Sequence, residues 1–153
     1  MDATVYLITP PFTQLNTPYP ATAYLKGFFN TRNISSYQSD LGIEVTLELF
    51  SQKGLQHLFN ACKAAQNEFT DNAARIFALQ DKYIETIDAV ISFLQGNNPT
   101  LAYSIAQRNL LPEASRFKQM DDLQWACGNM GKADKAKHVA TMYLEDIGDF
   151  IKE

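Results

Sequence analysis

The sequence is short of most residues that carry chemistry. It has two cysteines and two histidines in 153 residues. Cys62 and Cys127 are far apart and form neither a CxxC pair nor a zinc framework. They read as buried thiols of a reducing compartment. His57 lies five positions before Cys62, a spacing that does not share a helix face, so a joint metal site is not expected. GxGxxG, P-loop, HExxH and GxSxG motifs are absent. No apolar run approaches the roughly 18 residues needed to cross a bilayer, and the N-terminus has no basic n-region. Cationic excess is missing too: net charge is −4 and the pI about 5.1. That balance argues against nucleic acid and against an anionic membrane as partners. The composition describes a cytoplasmic globular chain with 46% hydrophobic residues, enough for a real core.

What is present begins with Val5-Tyr6-Leu7-Ile8, a short unbroken run of β formers that suits a strand buried on both faces. A loop from Thr9 to Pro20 with four prolines follows, longer than the 2–6 residues of a typical connection. Pro20 suits the first position of a helix whose core face is Tyr24, Leu25, Phe28 and Phe29. Ile34 to Ser39 is a weaker strand ending at Asp40-Leu41-Gly42. Together these segments predict a right-handed βαβ unit.

After Gly42 the pattern is helical. Helices are expected over 43–50, from a Ser51 cap to about Asn67, and from a Thr70 cap to Gln95. The last of these carries the stripe Phe77, Ile84, Ile87, Ile91 and Leu94, and Gly96 stops it. Asn98-Pro99 opens another helix. Short helices are expected at 113–117 and 122–130, and a final one over 132–152 with the stripe Ala136, Ala140, Tyr143, Ile147 and Ile151. Two carboxylate groups, Asp81/Glu85/Asp88 and Glu145/Asp146/Asp149, read as solvated faces. The fold class is therefore an α/β N-terminal unit with parallel strands, residues 1–42, followed by a mainly α-helical region, 43–153, packed on it; the chain is mostly α overall.

Two parallel strands do not make a stable sheet, and each open edge leaves backbone groups unpaired. Three explanations stand: further strands lie in sequence beyond Glu153, two chains pair edge to edge as a homodimer, or one helix is a strand.

The loop Thr9–Pro20 sits at the carboxyl end of a parallel strand, where open α/β sheets bind ligands. Backbone amides at the Pro20 helix start can receive an anion, although the loop has no glycine for close phosphate approach. The competing reading is a proline-stiffened loop packed against another domain.

ITPPF followed by TPYPATAYLKGFF resembles the opening of the cobalamin-binding-type domain at the front of many radical S-adenosylmethionine proteins. The matches are Pro10 and Pro11 in the turn and Tyr19 and Pro20 at the helix start. Asp40, Leu41 and Gly42 in YQSDLGIEV resemble the end of that domain's second strand. The resemblance covers about the first 45 residues. It implies a partial flavodoxin-like, Rossmann-like domain that carries, or once carried, cobalamin. It also implies a downstream barrel in the same polypeptide, with an iron–sulfur cluster on CxxxCxxC that cleaves S-adenosylmethionine. The pocket rim would be Thr9, Pro10, Pro11, Phe12, Thr13, Gln14, Asn16, Thr17, Tyr19 and Asp40. The DxHxxG of cobalt-ligating relatives is absent, so this loop supplies no lower axial histidine; CxxxCxxC is absent as well, so the chain alone performs no radical chemistry. The expectation is an accessory, non-catalytic domain of a radical enzyme. The alternative is a cofactor-free helical interaction module, in which helices 71–95 and 132–152 present a partner surface.

Overall fold

The computed structural model describes residues 4–11, 20–65, 68–118 and 131–153. The chain is mostly α-helical with a small α/β unit, and it divides into two compact units, 1–49 and 50–153.

In the first unit, β1 (Val5–Thr9) and β2 (Ser36–Asp40) pair in parallel through α1 (Pro20–Thr31), and α2 (Leu41–Leu49) follows β2 without a loop. The register sets Val5 beside Ser36, Tyr6 beside Tyr37 and Thr9 beside Asp40. Alternation along β1 turns Val5, Leu7 and Thr9 to the protected face and Tyr6 and Ile8 to the open one. β2 covers Ser36–Asp40 rather than Ile34–Ser39. Its start is displaced because α1 closes with Ile34 N–H bonded to the Phe29 carbonyl and Asn33 at a positive φ of 55°, which leaves Ile34 in the turn. Among the described residues the sheet has no third strand.

The second unit contains α3 (Gln52–Ala65), α4 (Asp71–Ala78), α5 (Gln80–Leu94), α6 (Ala102–Ala106) and α7 (Lys132–Ile151), with 3₁₀ turns at Pro99–Leu101 and Ser115–Phe117. The Ser51 hydroxyl caps α3 by accepting the Gly54 N–H at 3.0 Å. Thr70 caps α4 by accepting the Ala73 N–H at 3.3 Å. Its own hydroxyl donates to the Glu153 carboxylate.

The single helix expected over 71–95 is two. Leu79, at φ −97° and ψ 10°, leaves helical geometry, while its N–H still bonds to the carbonyls of Arg75 and Ile76. Neither glycine nor proline marks this joint. The turn separates two packing tasks: α4 lies on α7, and α5 lies chiefly along α3. The expected α5 stripe is accordingly offset. Tyr83, Ile87, Val90 and Phe93 are the buried residues, whereas Ile84, Ile91 and Leu94 flank them half-buried.

α5 ends as the sequence predicts. Gly96 takes a φ of +83°, with Gly96 N–H on the Phe93 carbonyl and Asn97 N–H on that of Ser92. This 5→2 and 6→1 pair needs a left-handed residue, and glycine adopts that conformation without a Cβ clash. On α7, Ala136, Ala140, Tyr143 and Ile147 are buried as expected, joined by Val139, Met142, Asp146 and Phe150; Ile151 is half-buried. Phe59, Phe69, Phe77 and Phe150 form an aromatic cluster with ring centroids 5.1 to 6.5 Å apart. The helix expected at 122–130 and the thiol of Cys127 lie outside the described residues. Cys62 is half-buried against the core rather than fully buried, because it sits at the edge of the α3 apolar stripe.

Candidate functional site

The carboxyl ends of β1 and β2 place Thr9 and Asp40 side by side. Thr9 is almost fully buried, Pro10 is exposed and Pro11 is half-buried. The other expected rim residues, Phe12, Thr13, Gln14, Asn16, Thr17 and Tyr19, lie outside the described residues.

Asp40 has a structural task that the sequence reading did not assign. Its carboxylate accepts the Ile43 N–H at 3.1 Å, the bond of an N-cap three residues ahead of its partner. The Ser39 hydroxyl donates to the Glu44 carboxylate in the same first turn. The Asp-Leu-Gly sequence thus turns a strand directly into a helix. Capping consumes one carboxylate oxygen and leaves the other at the strand ends.

Beside this rim, one sheet face is open. Tyr6 and Tyr37, opposite each other in register, are 58% and 57% exposed, and Ile8 next to them is 49% exposed. Such a pair of aromatic rings is ordinarily covered in a folded sheet. The first unit has the topology and the strand-end rim of a nucleotide- or corrinoid-type crevice, but its described residues include no ligand for cobalt. Both histidines of the chain belong to the second unit.

The titratable groups with shifted pKa values are all in the second unit. Asp146 is fully buried. Its two carboxylate oxygens accept the backbone N–H groups of Ala114 and Arg116, each at 3.0 Å. Burial raises its pKa above the ordinary carboxylate value, and the two backbone bonds oppose the rise. The solvated-face reading of Glu145, Asp146 and Asp149 therefore fails for two of the three. Asp146 faces inward, and Asp149 holds Arg116 through a two-pronged pair at 2.6 and 2.8 Å. That hydrogen bond keeps Asp149 below its ordinary value. The solvated reading does describe Asp81 and Glu85, which are exposed. Asp88 is exposed as well, yet it accepts the Gln52 N–H at 2.8 Å and so also caps α3.

Tyr83 and Tyr143 stack with centroids 5.1 Å apart. The Tyr143 hydroxyl donates to the Tyr83 carbonyl at 3.0 Å and lies 3.0 Å from the Thr86 hydroxyl. The Tyr83 hydroxyl is buried without a partner. Desolvation pushes both phenols upward. A neutral tyrosine pair and a carboxylate occupied by backbone amides form a structural junction, with no nucleophile beside a base. Among the described residues no group of three or more histidine, cysteine or acidic side chains is placed to hold a metal ion, and no helix is long and apolar enough to cross a membrane.

Comparison with protein-family models, with curated proteins and with solved structures finds no match for this chain.

Proposed function

We propose that the chain is an accessory, non-catalytic piece of a cobalamin-type radical S-adenosylmethionine enzyme of the cytoplasm. Its first unit would be the opening of the corrinoid-binding-like domain. The observation that supports this reading is the parallel β1–α1–β2 unit with Thr9 and Asp40 in register at its carboxyl end, the position where open α/β sheets take their ligands.

On this reading Thr9 to Tyr19 and Asp40 form one rim of the crevice. Contacts come from backbone amides and from the side chains of Thr13, Gln14, Asn16 and Thr17. Bound cobalamin would supply the cobalt-centred chemistry, with no lower ligand from this loop. The iron–sulfur cluster and S-adenosylmethionine belong to a downstream domain of the same polypeptide, which would also cover the open sheet face. For the isolated chain, pairing of two copies through that sheet is the corresponding expectation.

Equilibrium dialysis of the purified chain against hydroxocobalamin tests the proposal. Uptake weakened by Asn16→Ala supports it, and absence of uptake contradicts it. Asp40→Asn is the informative change at the second position. Asparagine still caps α2 through its side-chain oxygen, so a loss of binding there reports the crevice rather than helix fraying.

The alternative, a cofactor-free helical interaction module, is favoured by a different observation: the outward face of α5 carries the exposed carboxylates Asp81 and Glu85 along a groove beside α3.

A further inference from the structure

α3 and α5 run antiparallel. The Gln52 N–H at the start of α3 meets Asp88 near the end of α5, and Lys63 near the end of α3 lies 5.9 Å from the Phe77 ring, just ahead of α5. Between the two helices runs a surface groove of about 420 Å³. Phe59, almost fully buried, and half-buried Ile84 are its apolar lining.

The α3 wall presents Gln52, Gln56 and Asn60, at i, i+4 and i+8, and Gln80 adds a fourth primary amide from α5. Among the described residues none of these four side-chain amides has a protein hydrogen-bond partner. Each carries both donors and an acceptor. At 1.5 Å per residue, successive α3 amides are about 6 Å apart. An extended peptide advances about 3.3 Å per residue, so its like-facing groups recur every 6.6 Å or so. Over the span from Gln52 to Asn60, about 12 Å, the two repeats stay nearly in step for about four residues of extended chain.

The α5 wall presents Asp81 and Glu85, one helical turn apart and exposed. No described cation forms an ion pair with either. Like charges at this spacing repel, and two cations at the same spacing would relieve them. Side chains two residues apart in an extended peptide point the same way at very nearly that distance.

We propose that the α3–α5 groove binds an extended peptide segment. The amides of Gln52, Gln56 and Asn60 bond its backbone, and two lysine or arginine side chains in alternate positions reach Asp81 and Glu85. The site lies wholly within the second unit and does not depend on the corrinoid reading of the first.

The probe is fluorescein-labelled Ala-Lys-Ala-Lys-Ala-amide, titrated with the full chain at low salt and read by fluorescence anisotropy. The decisive comparison is the same peptide with N-methylated alanines, which keeps both charges and loses backbone donors. About tenfold weaker binding of the methylated peptide is expected, the effect of losing one or two net hydrogen bonds. A similar loss is expected for the double variant Gln56→Ala/Asn60→Ala, whose sites are exposed and leave the melting curve unchanged. Asp81→Asn should weaken binding and reduce its salt dependence. Equal binding of the methylated peptide, displacement by spermidine as effective as by unlabelled peptide, or no saturable binding would each overturn the proposal.

Discussion

Asp146 on α7 holds the backbone amide of Ala114 at 3.0 Å with one carboxylate oxygen and gives the other to the amide of Arg116. This one buried side chain fastens the turn at Ser115–Phe117 to the last helix. Replacing it with alanine strands two backbone donors in a closed site. We expect Asp146→Ala to cost about 3 kcal/mol, the range for losing bonds to a charged acceptor and leaving buried groups unmet. Urea unfolding checks this, and a loss below about 1 kcal/mol would show that the donors find other partners.

Asp146 and Asp149 should act on stability in opposite pH directions. Burial raises Asp146 from its ordinary value near 3.8. The folded state therefore holds that proton more tightly than the unfolded chain, so stability from this group falls as pH rises from about that value through the folded pKa. Asp149 is lowered from the same ordinary value by Arg116. Its contribution is present above the unfolded pKa and disappears as pH falls through the folded one. Unfolding curves across the acid range for Asp146→Asn and Asp149→Asn separate the two. The first variant should lack the decline on raising pH, and the second should lack the decline on lowering it.

The stacked tyrosines differ in what their hydroxyls do. Tyr143 donates to the Tyr83 carbonyl, whereas the Tyr83 hydroxyl is buried without a partner. Tyr143→Phe should cost about 1 kcal/mol, the net worth of a typical hydrogen bond. Tyr83→Phe should be neutral or stabilising, because it removes an unsatisfied polar atom and keeps the ring stack. Thermal melts of the two variants read this directly; equal losses would mean that Tyr83 has an unseen partner.

At Gly96 the backbone φ is +83°. Alanine meets no neighbouring atom there, so any loss reflects conformation alone. A cost of about 1–2 kcal/mol is expected for Gly96→Ala. The same change at Gly27, inside α1 with equally open space, should be neutral or mildly stabilising.

Tyr6, Ile8 and Tyr37 on the open sheet face should drive association of the isolated chain. Light scattering is expected to give a dimer that becomes monomeric on Ile8→Lys/Tyr37→Lys. A monomer at every concentration would contradict this expectation.

Much of the fold was legible where a residue's local chemistry decides the outcome. Pro20 begins α1, Ser51 and Thr70 cap α3 and α4, and Gly96 ends α5, because each meets a need of its own backbone. What escaped depends on partners distant in sequence. The break at Leu79 has no local signal and follows from α4 and α5 packing on different helices. The burial of Asp146 depends on backbone amides more than 25 residues away, and a helical carboxylate with acidic neighbours reads as solvated until those donors are placed. Asp40 was picked out as a rim residue, and its capping bond to Ile43 could have been foreseen from aspartate followed at once by a helix. The amide groove was half visible: the acidic positions of α5 stood out, whereas the facing row of Gln52, Gln56 and Asn60 takes meaning only from the antiparallel pairing of the helices.

The central claim is that the β1–α1–β2 unit is the opening of a corrinoid-binding domain. Titrating hydroxocobalamin with the purified chain and following its visible spectrum tests this most directly. The account predicts a shifted spectrum that saturates at micromolar chain and weakens with Asn16→Ala. A spectrum equal to that of free hydroxocobalamin at every chain concentration would contradict it and leave the helical interaction surface as the function of this chain.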